Sequence, residues 1–452
     1  MLNHVKLSDN KLQFSAFESV SAAKWKQQIQ FELKGADYNE TVVRHASDGI
    51  KVKPFYNAED RATHLPAVPK TAAFKITETL YVKNVDKTIQ RATKLVAKGC
   101  EAIILDLPEH INDFQTTFSA LLALQIPIFV RPQFYDEIFF AAVSKIEGVT
   151  LLIDPIHELA ATGNWFSGSD NQFGFLNQTP TIYINAGVYH NAGATPVQTI
   201  AFALAHAVEY FNQQSKPKDV VFQLELGSDY FFEIAAIRAL RLLYQTVANS
   251  FGITAKCSII AIPGKRNKTI YDYNVNMLRT TTECMSAILG GADFIQNRPY
   301  DALYHKENEF GNRIARNQLL ILKHEAHLDK VQNPCDGSYF IESLTAQMAR
   351  LALEKLKQIE ADGGFLASLK KERIQAQIKL QADAEQQAVD AGKHVLIGTN
   401  KFKNSADAMN DQLELYPFLK VQARKTIIAP LIQKRLAENI EQERLKSEKS
   451  TL

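Results

Sequence analysis

Eight short apolar runs, separated by helix-like segments, dominate the sequence between residues 73 and 330. Near-continuous apolar strands are expected where helices cover both faces of a parallel sheet. Eight strand–helix units in a stretch of this length predict an α/β fold of the (β/α)8 TIM-barrel type. The alternative is a doubly wound open sheet, and the count of eight units favours the barrel. The predicted strands cover residues 74–82, 102–106, 126–131, 149–154, 181–185, 220–226, 257–262 and 292–296. The weakest unit is 155–180, where only a short helix fits.

The first 72 residues are polar and irregular, and we interpret them as an arm for contact with a partner or with the barrel. Within the arm, Trp25, Ile29 and Leu33 recur at helical spacing, and Gly35 follows as a helix stop. The segment GIKVKPFYNAED is typical of extended chain that ends in a loop.

Residues 331–452 are predicted to form a C-terminal helical extension and tail. GSYFIESLTAQMARLALEKLKQIEADGG has the pattern of a long amphipathic helix that ends at Gly-Gly. A second helical run, SLKKERIQAQIKLQADAEQQAVDAG, precedes HVLIGTNKF, which we expect to be extended. The charged tail LIQKRLAENIEQERLKSEK is expected to form a solvated helix with i,i+4 ion pairs.

Composition excludes several classes of protein. A formal net charge of +2 gives no electrostatic footprint for nucleic acid. We expect no membrane span and no secretory signal, because no long apolar run and no apolar N-terminal segment occur. The four cysteines form no C-x-x-C pair, so we expect neither a disulfide framework nor a zinc site, and a reducing cytoplasm is the expected location. In KHEAHLD, His324 and His327 lack a third ligand, so no metal site is predicted there.

Polar residues follow several predicted strands, at the end of a β/α barrel where chemistry takes place. Three carboxylates, Asp106, Asp154 and Glu225, are suited to a cation or a sugar, or else to capping the next helix or pairing with an arginine. Both interpretations stay open at this point. The complete set of rim candidates is Asp106, Arg131, Asp154, Asn185, Tyr189, His190, Glu225 and Lys265.

Several stretches, taken together and in order, resemble the methylmalonyl-CoA mutase family, and more closely the barrel portion of its small, or beta, subunit. The similarity covers roughly residues 11–403. The stretches that carry it are LKGADYNET, GIKVKPFYNAED, YHNAGATPVQTIAFALAHAVEY, FFEIAAIRALRLLY, YNVNMLRTTTECMSAILGGADFI, ENEFGNRIARNQLLIL, NPCDGSYFIESLT, IEADGGF and LIGTNKF.

The resemblance implies a link to the interconversion of (R)-methylmalonyl-CoA and succinyl-CoA, a radical reaction that adenosylcobalamin starts. The family's catalytic chains resemble D-x-H-x-x-G at the cobalt ligand and R-P-W-T-x-R-Q-Y-A-G-F at the CoA site, and neither pattern occurs in this sequence. A block resembling R-x-H-x-Q-T-S-G is replaced by IIAIPGKRN, which retains Lys265 and Arg266 as polar candidates. We therefore expect this chain to bind no cofactor alone, with adenosylcobalamin in a partner large subunit.

The resemblance places VYHNAGAT opposite a stretch similar to G-Y-H-M-Q-E-A-G-A-T, in which the histidine acts on the substrate carbonyl. Alignment on Tyr-His puts His190 at that position, whereas alignment on AGAT puts Val188 there. We expect His190 to be a relic or a structural residue. The substrate-binding candidates at the rim are Tyr189, Asn191, Lys265 and Arg266.

These observations favour a non-catalytic small subunit that stabilises a catalytic large subunit in a heterodimeric, adenosylcobalamin-dependent methylmalonyl-CoA mutase. The alternative is a catalytically active barrel chain of a split acyl-CoA mutase that uses a separate cobalamin-binding chain. A barrel that binds an unrelated small ligand is a third hypothesis, since a fold does not imply a function. A lumen packed with Ile, Leu and Phe would exclude a pantetheine arm, and a lumen of small polar residues would favour the enzyme.

Overall fold

A computed structural model describes residues 20–60, 68–69, 73–111, 113–166, 172–213, 217–420 and 423–450. The chain divides into two compact units, one within the first 61 residues and the other from residue 62 onward. Of the interpreted arm, residues 1–19, 61–67 and 70–72 lie outside the described residues.

The N-terminal unit contains the predicted helix, Ala22–Glu32, which ends just before Gly35 in a left-handed conformation. Every described side chain of this helix is at least partly exposed, and Trp25 stacks on Phe55 at a ring-centroid distance of 4.8 Å. The remaining elements are short: the helix Tyr38–Thr41, the 3₁₀ turns Ser47–Gly49 and Ala58–Asp60, and the antiparallel strands Arg44–His45 and Lys51–Val52.

All eight predicted strands are present in the second unit, and they form one parallel sheet. The sheet is nearly closed into a barrel, so the predicted (β/α)8 fold is confirmed. In chain order the barrel strands are β1 (Lys75–Tyr81), β2 (Ala102–Leu107), β3 (Ile128–Pro132), β4 (Val149–Leu151), β5 (Thr181–Asn185), β6 (Asp219–Leu226), β7 (Lys256–Pro263) and β8 (Phe294–Gln296).

Strands that are neighbours in sequence pair with each other, except β4 and β5, and β8 returns to pair with β1. The ladder is open between β4 and β5, so the order around the sheet is β4-β3-β2-β1-β8-β7-β6-β5. This gap falls at the segment 155–180 that the sequence marks as the weakest unit. The described part of that segment supplies the helix Pro155–Thr162 and the 3₁₀ turn Gly174–Asn177.

Helices cover the outside of the barrel, and side-chain caps fix where several of them begin. Thr195 and Gln198 form a capping box at the start of Pro196–Phe211, and Asp154 caps Pro155–Thr162. The helices of this unit span Val85–Ala97, Phe114–Leu122, Glu137–Val143, Pro155–Thr162, Gly187–Ala192, Pro196–Phe211, Tyr230–Ser250, Val275–Gly290, Glu309–His324, Tyr339–Ala361, Phe365–Lys370, Arg373–Asp390 and Glu438–Ser450.

Two barrel helices, Pro196–Phe211 and Tyr230–Ser250, are buried over most of their circumference. They are covered on the outside by Tyr339–Ala361, the predicted long amphipathic helix, which begins at Ser338 and ends before Gly363 and Gly364. A helix that is apolar all round needs such a second covering layer. The C-terminal extension therefore completes the core around these two helices.

Two expectations for the C-terminal region are wrong. HVLIGTNKF forms turns with a single bridge between Ile397 and Lys401, because Asn400 satisfies local backbone groups with its side-chain amide. The charged tail forms a helix, Glu438–Ser450, but its inner face is not solvated. Glu441 is 1% exposed, pairs with Arg435 at 2.7 Å and accepts a hydrogen bond from the backbone N–H of Ile270 at 2.8 Å.

Residues 424–436, which we name the C-terminal strap, cross the rim at the C-terminal end of the barrel strands. At one end the N–H groups of Ile427 and Leu431 donate to the carbonyls of Gly163 and Ala160, at 2.9 and 2.8 Å. At the other end Arg266 donates to the carbonyl of Lys434 and accepts from the N–H of Leu436. The strap thus joins the loop after β4 to the loop after β7.

Among the described residues, no helix is both long and apolar enough to cross a membrane.

Candidate site at the barrel mouth

The lower lumen of the barrel is filled by apolar side chains. Alternate residues of each strand point inward, which gives Ala102 and Ile104 from β2 and Ile260 and Ile262 from β7. Filling of this kind makes a packed core and not a pore. We name the group the apolar plug; its buried members are Ala102, Ile104, Phe129, Leu152, Tyr183, Val221, Ile260 and Ile262, with Phe294 packed against them.

A hydrogen-bonded layer lies directly above the plug. Arg131 makes a bidentate ion pair with Asp106, at 2.7 and 3.0 Å, and donates a third bond to Gln223 Oε1 at 3.0 Å. The same Gln223 oxygen accepts a bond from the Tyr183 hydroxyl at 2.7 Å, and Gln223 Nε2 donates to Asn185 at 3.2 Å. Burial raises the pKa of Tyr183, so its hydroxyl remains a donor. This layer ties β2, β3, β5 and β6 together across the lumen.

Above this layer is a cavity of about 700 Å³, which we name the mouth cavity. Six of the eight predicted rim residues line it, and Tyr189 and His190 do not. Its lining residues are Thr79, Asp106, Arg131, Pro132, Gln133, Leu152, Asp154, His157, Glu158, Phe166, Tyr183, Asn185, Val188, Gln223, Glu225, Ile262, Lys265, Gln296, Arg298 and Gln433.

Asp154 is the most strongly hydrogen-bonded carboxylate of the cavity. It accepts bonds from the Tyr210 hydroxyl and the Asn185 N–H, each at 2.7 Å, and lies 2.9 Å from His206 Nε2. Burial opposes its ionisation, but His206 and the hydrogen bonds hold the pKa of Asp154 below its usual range. Asp154 also caps the helix after β4, so it has the structural role that was one of the two open interpretations.

His157 lies beside Asp154 with both ring nitrogens near Asn185. Nδ1 is 3.0 Å from the Asn185 carbonyl, and Nε2 is 3.4 Å from its side-chain amide. Burial lowers the pKa of His157, so the neutral ring is favoured. This wall of the cavity therefore offers polar but uncharged imidazole and amide groups.

The opposite wall carries cations. Arg298 donates to Glu225 Oε2 at 3.2 Å and to the carbonyl of Pro263 at 3.0 Å, and Asn191 donates to the same Glu225 oxygen at 2.7 Å. Lys265 is solvent-exposed, and its backbone N–H donates to Asn191 at 3.0 Å. The neighbouring charge of Arg298, and then desolvation, lower the pKa of Lys265.

Comparison with known proteins identifies the family. The family model described as methylmalonyl-CoA mutase matches residues 172–447, more than half of the chain. The chain belongs to the methylmalonyl-CoA mutase family. It is 30% identical to the methylmalonyl-CoA mutase small subunit of Porphyromonas gingivalis over 97% of this chain and 78% of that protein.

Other relatives of the family match over shorter parts of their length. The small subunit from Propionibacterium freudenreichii subsp. shermanii is 28% identical over 76% of this chain and 61% of that protein. Methylmalonyl-CoA mutase of Escherichia coli is 31% identical over 56% of this chain and 36% of that protein. The chain thus spans about a third of the length of the latter mutase.

Within this mutase-family barrel, His190 does not line the mouth cavity, whereas Val188 does. The imidazole of His190 is wedged between the loops after β6 and β7, where a Cβ added to Gly264 would lie 2.7 Å from its Nε2. A Cβ on Gly227 would lie 3.0 Å from its Cε1. Burial lowers the pKa of His190 to about 4, so the ring is neutral at pH 7. Val188, which the alignment on AGAT puts opposite the family's histidine, faces the cavity.

The four substrate-binding candidates separate into different environments. Tyr189 is completely buried, and its hydroxyl lies 3.0 Å from His206 Nδ1. Asn191 is buried against Glu225. Arg266 is 7% exposed and pairs with Glu385 at 2.7 Å in the C-terminal extension. Of the four, Lys265 lines the mouth cavity.

Sequence reasoning missed several residues of the mouth cavity. Arg298 comes just after Asn297 at the end of β8, in QNRPY, so the strand-end rule that selected Lys265 also applies to it. Gln223 lies two residues before Glu225 on β6, and a period-two argument would have placed both on one face. Gln433 could not be found in this way, because it comes from the C-terminal strap.

The two imidazoles nearest the mouth cavity are engaged within the protein: His157 faces Asn185 with both ring nitrogens, and His190 is wedged between two loops. The described residues also contain no group of three or more His, Cys, Asp or Glu side chains that could hold a metal ion.

Proposed function

We propose that this chain is the non-catalytic small subunit of a heterodimeric methylmalonyl-CoA mutase. Its partner would be a large subunit that carries adenosylcobalamin and interconverts (R)-methylmalonyl-CoA and succinyl-CoA. The observation that supports this proposal is the closed lumen: the apolar plug fills the lower barrel, and the Arg131–Asp106–Gln223 layer lies across it.

A CoA ester that entered the barrel lumen would meet steric and energetic obstacles. A pantetheine arm that passed through the barrel would have to displace fully buried side chains such as Ile104 and Ile260. Each large apolar side chain moved from the packed core into water costs roughly 1.5–3 kcal/mol. Separating Arg131 from Asp106 would add the cost of leaving a poorly hydrated charge without its partner. These costs oppose binding of a thioester arm along the barrel axis.

A duplicated barrel that has lost its substrate site can retain the surface that binds its partner subunit. The N-terminal unit exposes large apolar side chains of the kind found in such an interface. Phe31 is 80% exposed and Trp25 is 53% exposed on the helix Ala22–Glu32. Obligate interfaces are more apolar than the general protein surface, so these side chains suit a permanent partner.

The test is reconstitution of the mutase from this chain and a large subunit of the family. We expect a stable heterodimer, and we expect the His190→Gln variant to assemble and to retain mutase activity within about twofold of the wild type. A general acid that acted on substrate would contribute about 10²–10⁴-fold. Loss of activity by tenfold or more at equal complex formation would contradict the proposal, as would failure of the wild-type chains to associate.

One observation favours the second candidate, the active barrel of a split acyl-CoA mutase. The mouth cavity has the volume and polar lining of a ligand site. Addition of adenosylcobalamin and a separate cobalamin-binding chain to the purified protein, followed by assay of methylmalonyl-CoA turnover, distinguishes the two. Turnover without a large subunit would support the split mutase.

A further inference from the structure

We infer that the mouth cavity binds a small hydroxylated organic acid, with its carboxylate between Lys265 and Arg298. This site goes beyond the proposed subunit role, and neither depends on the other. It is enclosed from below by the apolar plug and from one side by Gln433 of the C-terminal strap.

The β7–β8 side of the mouth cavity carries more positive than negative charge. Lys265 and Arg298 follow the adjacent strands β7 and β8, and one carboxylate, Glu225, lies beside both. The Arg298 guanidinium is held in place by Glu225 and by the Pro263 carbonyl. Two cations that share one carboxylate leave an excess positive charge, which an anion can neutralise. A fixed guanidinium also binds a carboxylate at a lower entropic cost than a free one.

The other charged groups of the cavity lie toward β2, β3 and β4. Arg131 neutralises Asp106 in a bidentate pair, and Asp154 is occupied by Tyr210 and Asn185. Glu158 lies on the helix after β4, away from β7 and β8 in the barrel order, and burial raises its pKa. The anion is therefore favoured at the β7–β8 side and disfavoured at the β4 side.

The remaining lining sets the chemistry of the rest of the ligand. Amide side chains surround the space between the two walls, and the Glu158 carboxylate offers an acceptor on the β4 side. Hydroxyl groups match such a mixture of donors and acceptors, whereas an apolar acyl chain would desolvate the amides of Gln133 and Gln433 without giving them a hydrogen bond. The amides are Gln133, Asn185, Gln223, Gln296 and Gln433.

Size sets the final limit on the ligand. A cavity of about 700 Å³ is within the range of small-molecule sites, and it has no continuation through the plug for a pantetheine arm. A ligand that fits whole within this volume is a free, short hydroxy acid.

Isothermal titration of the purified full chain with L-malate tests this inference, with threitol as the uncharged probe and inorganic phosphate as the simple anion. We expect malate to bind, and threitol to bind at least tenfold more weakly. We expect Lys265→Gln and Arg298→Gln each to reduce malate affinity about tenfold. The matched control is Lys256→Gln, which removes an exposed lysine from the opposite end of β7 and should leave malate affinity unchanged. Equal thermal midpoints for the three variants establish that each is folded.

The outcomes separate the two proposals. Malate binding that depends on Lys265 and Arg298 supports the inference, whatever the result of reconstitution. No malate binding, binding that survives both substitutions, or tighter binding of phosphate than of malate overturns it. Methylmalonyl-CoA is titrated in parallel, and displacement of malate by this ester would overturn the assignment to a CoA-free ligand.

Discussion

At the scale of single residues, Glu233 shows how burial changes acid–base behaviour in this barrel. It lies in the first turn of Tyr230–Ser250, is 5% exposed and accepts a hydrogen bond from the Gly227 N–H at 2.8 Å. Burial raises the pKa of Glu233 to about 8, with the Gly227 hydrogen bond opposing the shift. The carboxyl group is therefore protonated in the folded chain at neutral pH.

We predict that Glu233 makes the folded state less stable as the pH rises. In the unfolded chain a glutamate has a pKa of about 4.3, so between that value and about 8 unfolding releases a proton. The stabilising contribution is complete below the unfolded pKa and is lost as the pH approaches the folded pKa. The slope for one group is at most about 1.4 kcal/mol per pH unit.

Urea unfolding of the wild type and of Glu233→Gln at pH 5, 6.5 and 8 measures this effect. Glutamine keeps an acceptor for the Gly227 N–H but does not titrate. The variant should therefore gain stability relative to the wild type at each step upward in pH. Parallel curves for the two proteins would show that Glu233 titrates alike in both states.

The sequence correctly predicted cavity residues whose location follows from the end of a strand. Asp106, Arg131 and Lys265 were placed at the rim by their position after a strand, and they line the mouth cavity. Tyr189 and His190 also follow a strand but do not line the cavity, because VYHNAG forms a helical turn directly after β5 and turns these side chains away from it. A strand period does not predict the direction of side chains in such a turn.

At the scale of elements, the C-terminal strap depends on a glycine. Gly163 ends the helix Pro155–Thr162 at a φ of 81°, and its carbonyl accepts a hydrogen bond from the N–H of Ile427. A Cβ at this position would lie 2.6 Å from the carbonyl oxygen of Ile428 and 2.9 Å from the side chain of Thr426. Only glycine allows both the left-handed backbone and the close approach of the strap.

We predict that Gly163→Ala detaches this end of the strap. The matched control is Gly252→Ala, because Gly252 also has a positive φ, of 67°, but a Cβ there meets no atom within 4 Å. The control should cost about 1–2 kcal/mol for its left-handed backbone alone, and Gly163→Ala should cost more. Hydrogen exchange should also speed up at Ile427 in Gly163→Ala and not in the control. Equal loss of stability in both variants, with the Ile427 amide still protected, would contradict this account.

Elements were predictable where local pattern decides them. The β-branched runs of β1 to β8 and the Gly-Gly stop after Tyr339–Ala361 carry their signals within a few residues. The environment of the tail helix could not be predicted from nearby residues. The burial of Glu441 depends on Ile270 and Arg435, which the fold brings to it. A charge run is solvated only if no distant partner meets it.

At the scale of the whole molecule, the barrel interior could not be predicted, because strands buried on both faces lose the period-two contrast that identifies the inward side. In the structure, the apolar plug fills the lower lumen of the barrel, and a layer of hydrogen-bonded polar side chains lies above the plug. The barrel unit is therefore a filled scaffold with one open mouth. In the proposed heterodimer, such a scaffold contributes surface, and the exposed apolar side chains of the N-terminal unit are the natural place to test that role.

We predict that Phe31→Ser weakens association with a large subunit and leaves the isolated chain as stable as before. Phe31 is 80% exposed, so its removal creates no cavity, whereas its burial in an interface would contribute about 1.5–3 kcal/mol, equivalent to a tenfold to hundredfold change in Kd. Ile138→Ser provides the matched control, since Ile138 is 85% exposed on the barrel helix Glu137–Val143. Sedimentation of the mixed subunits should show reduced complex for Phe31→Ser alone. If instead Ile138→Ser weakens the complex and Phe31→Ser does not, the barrel face and not the N-terminal helix provides the contact.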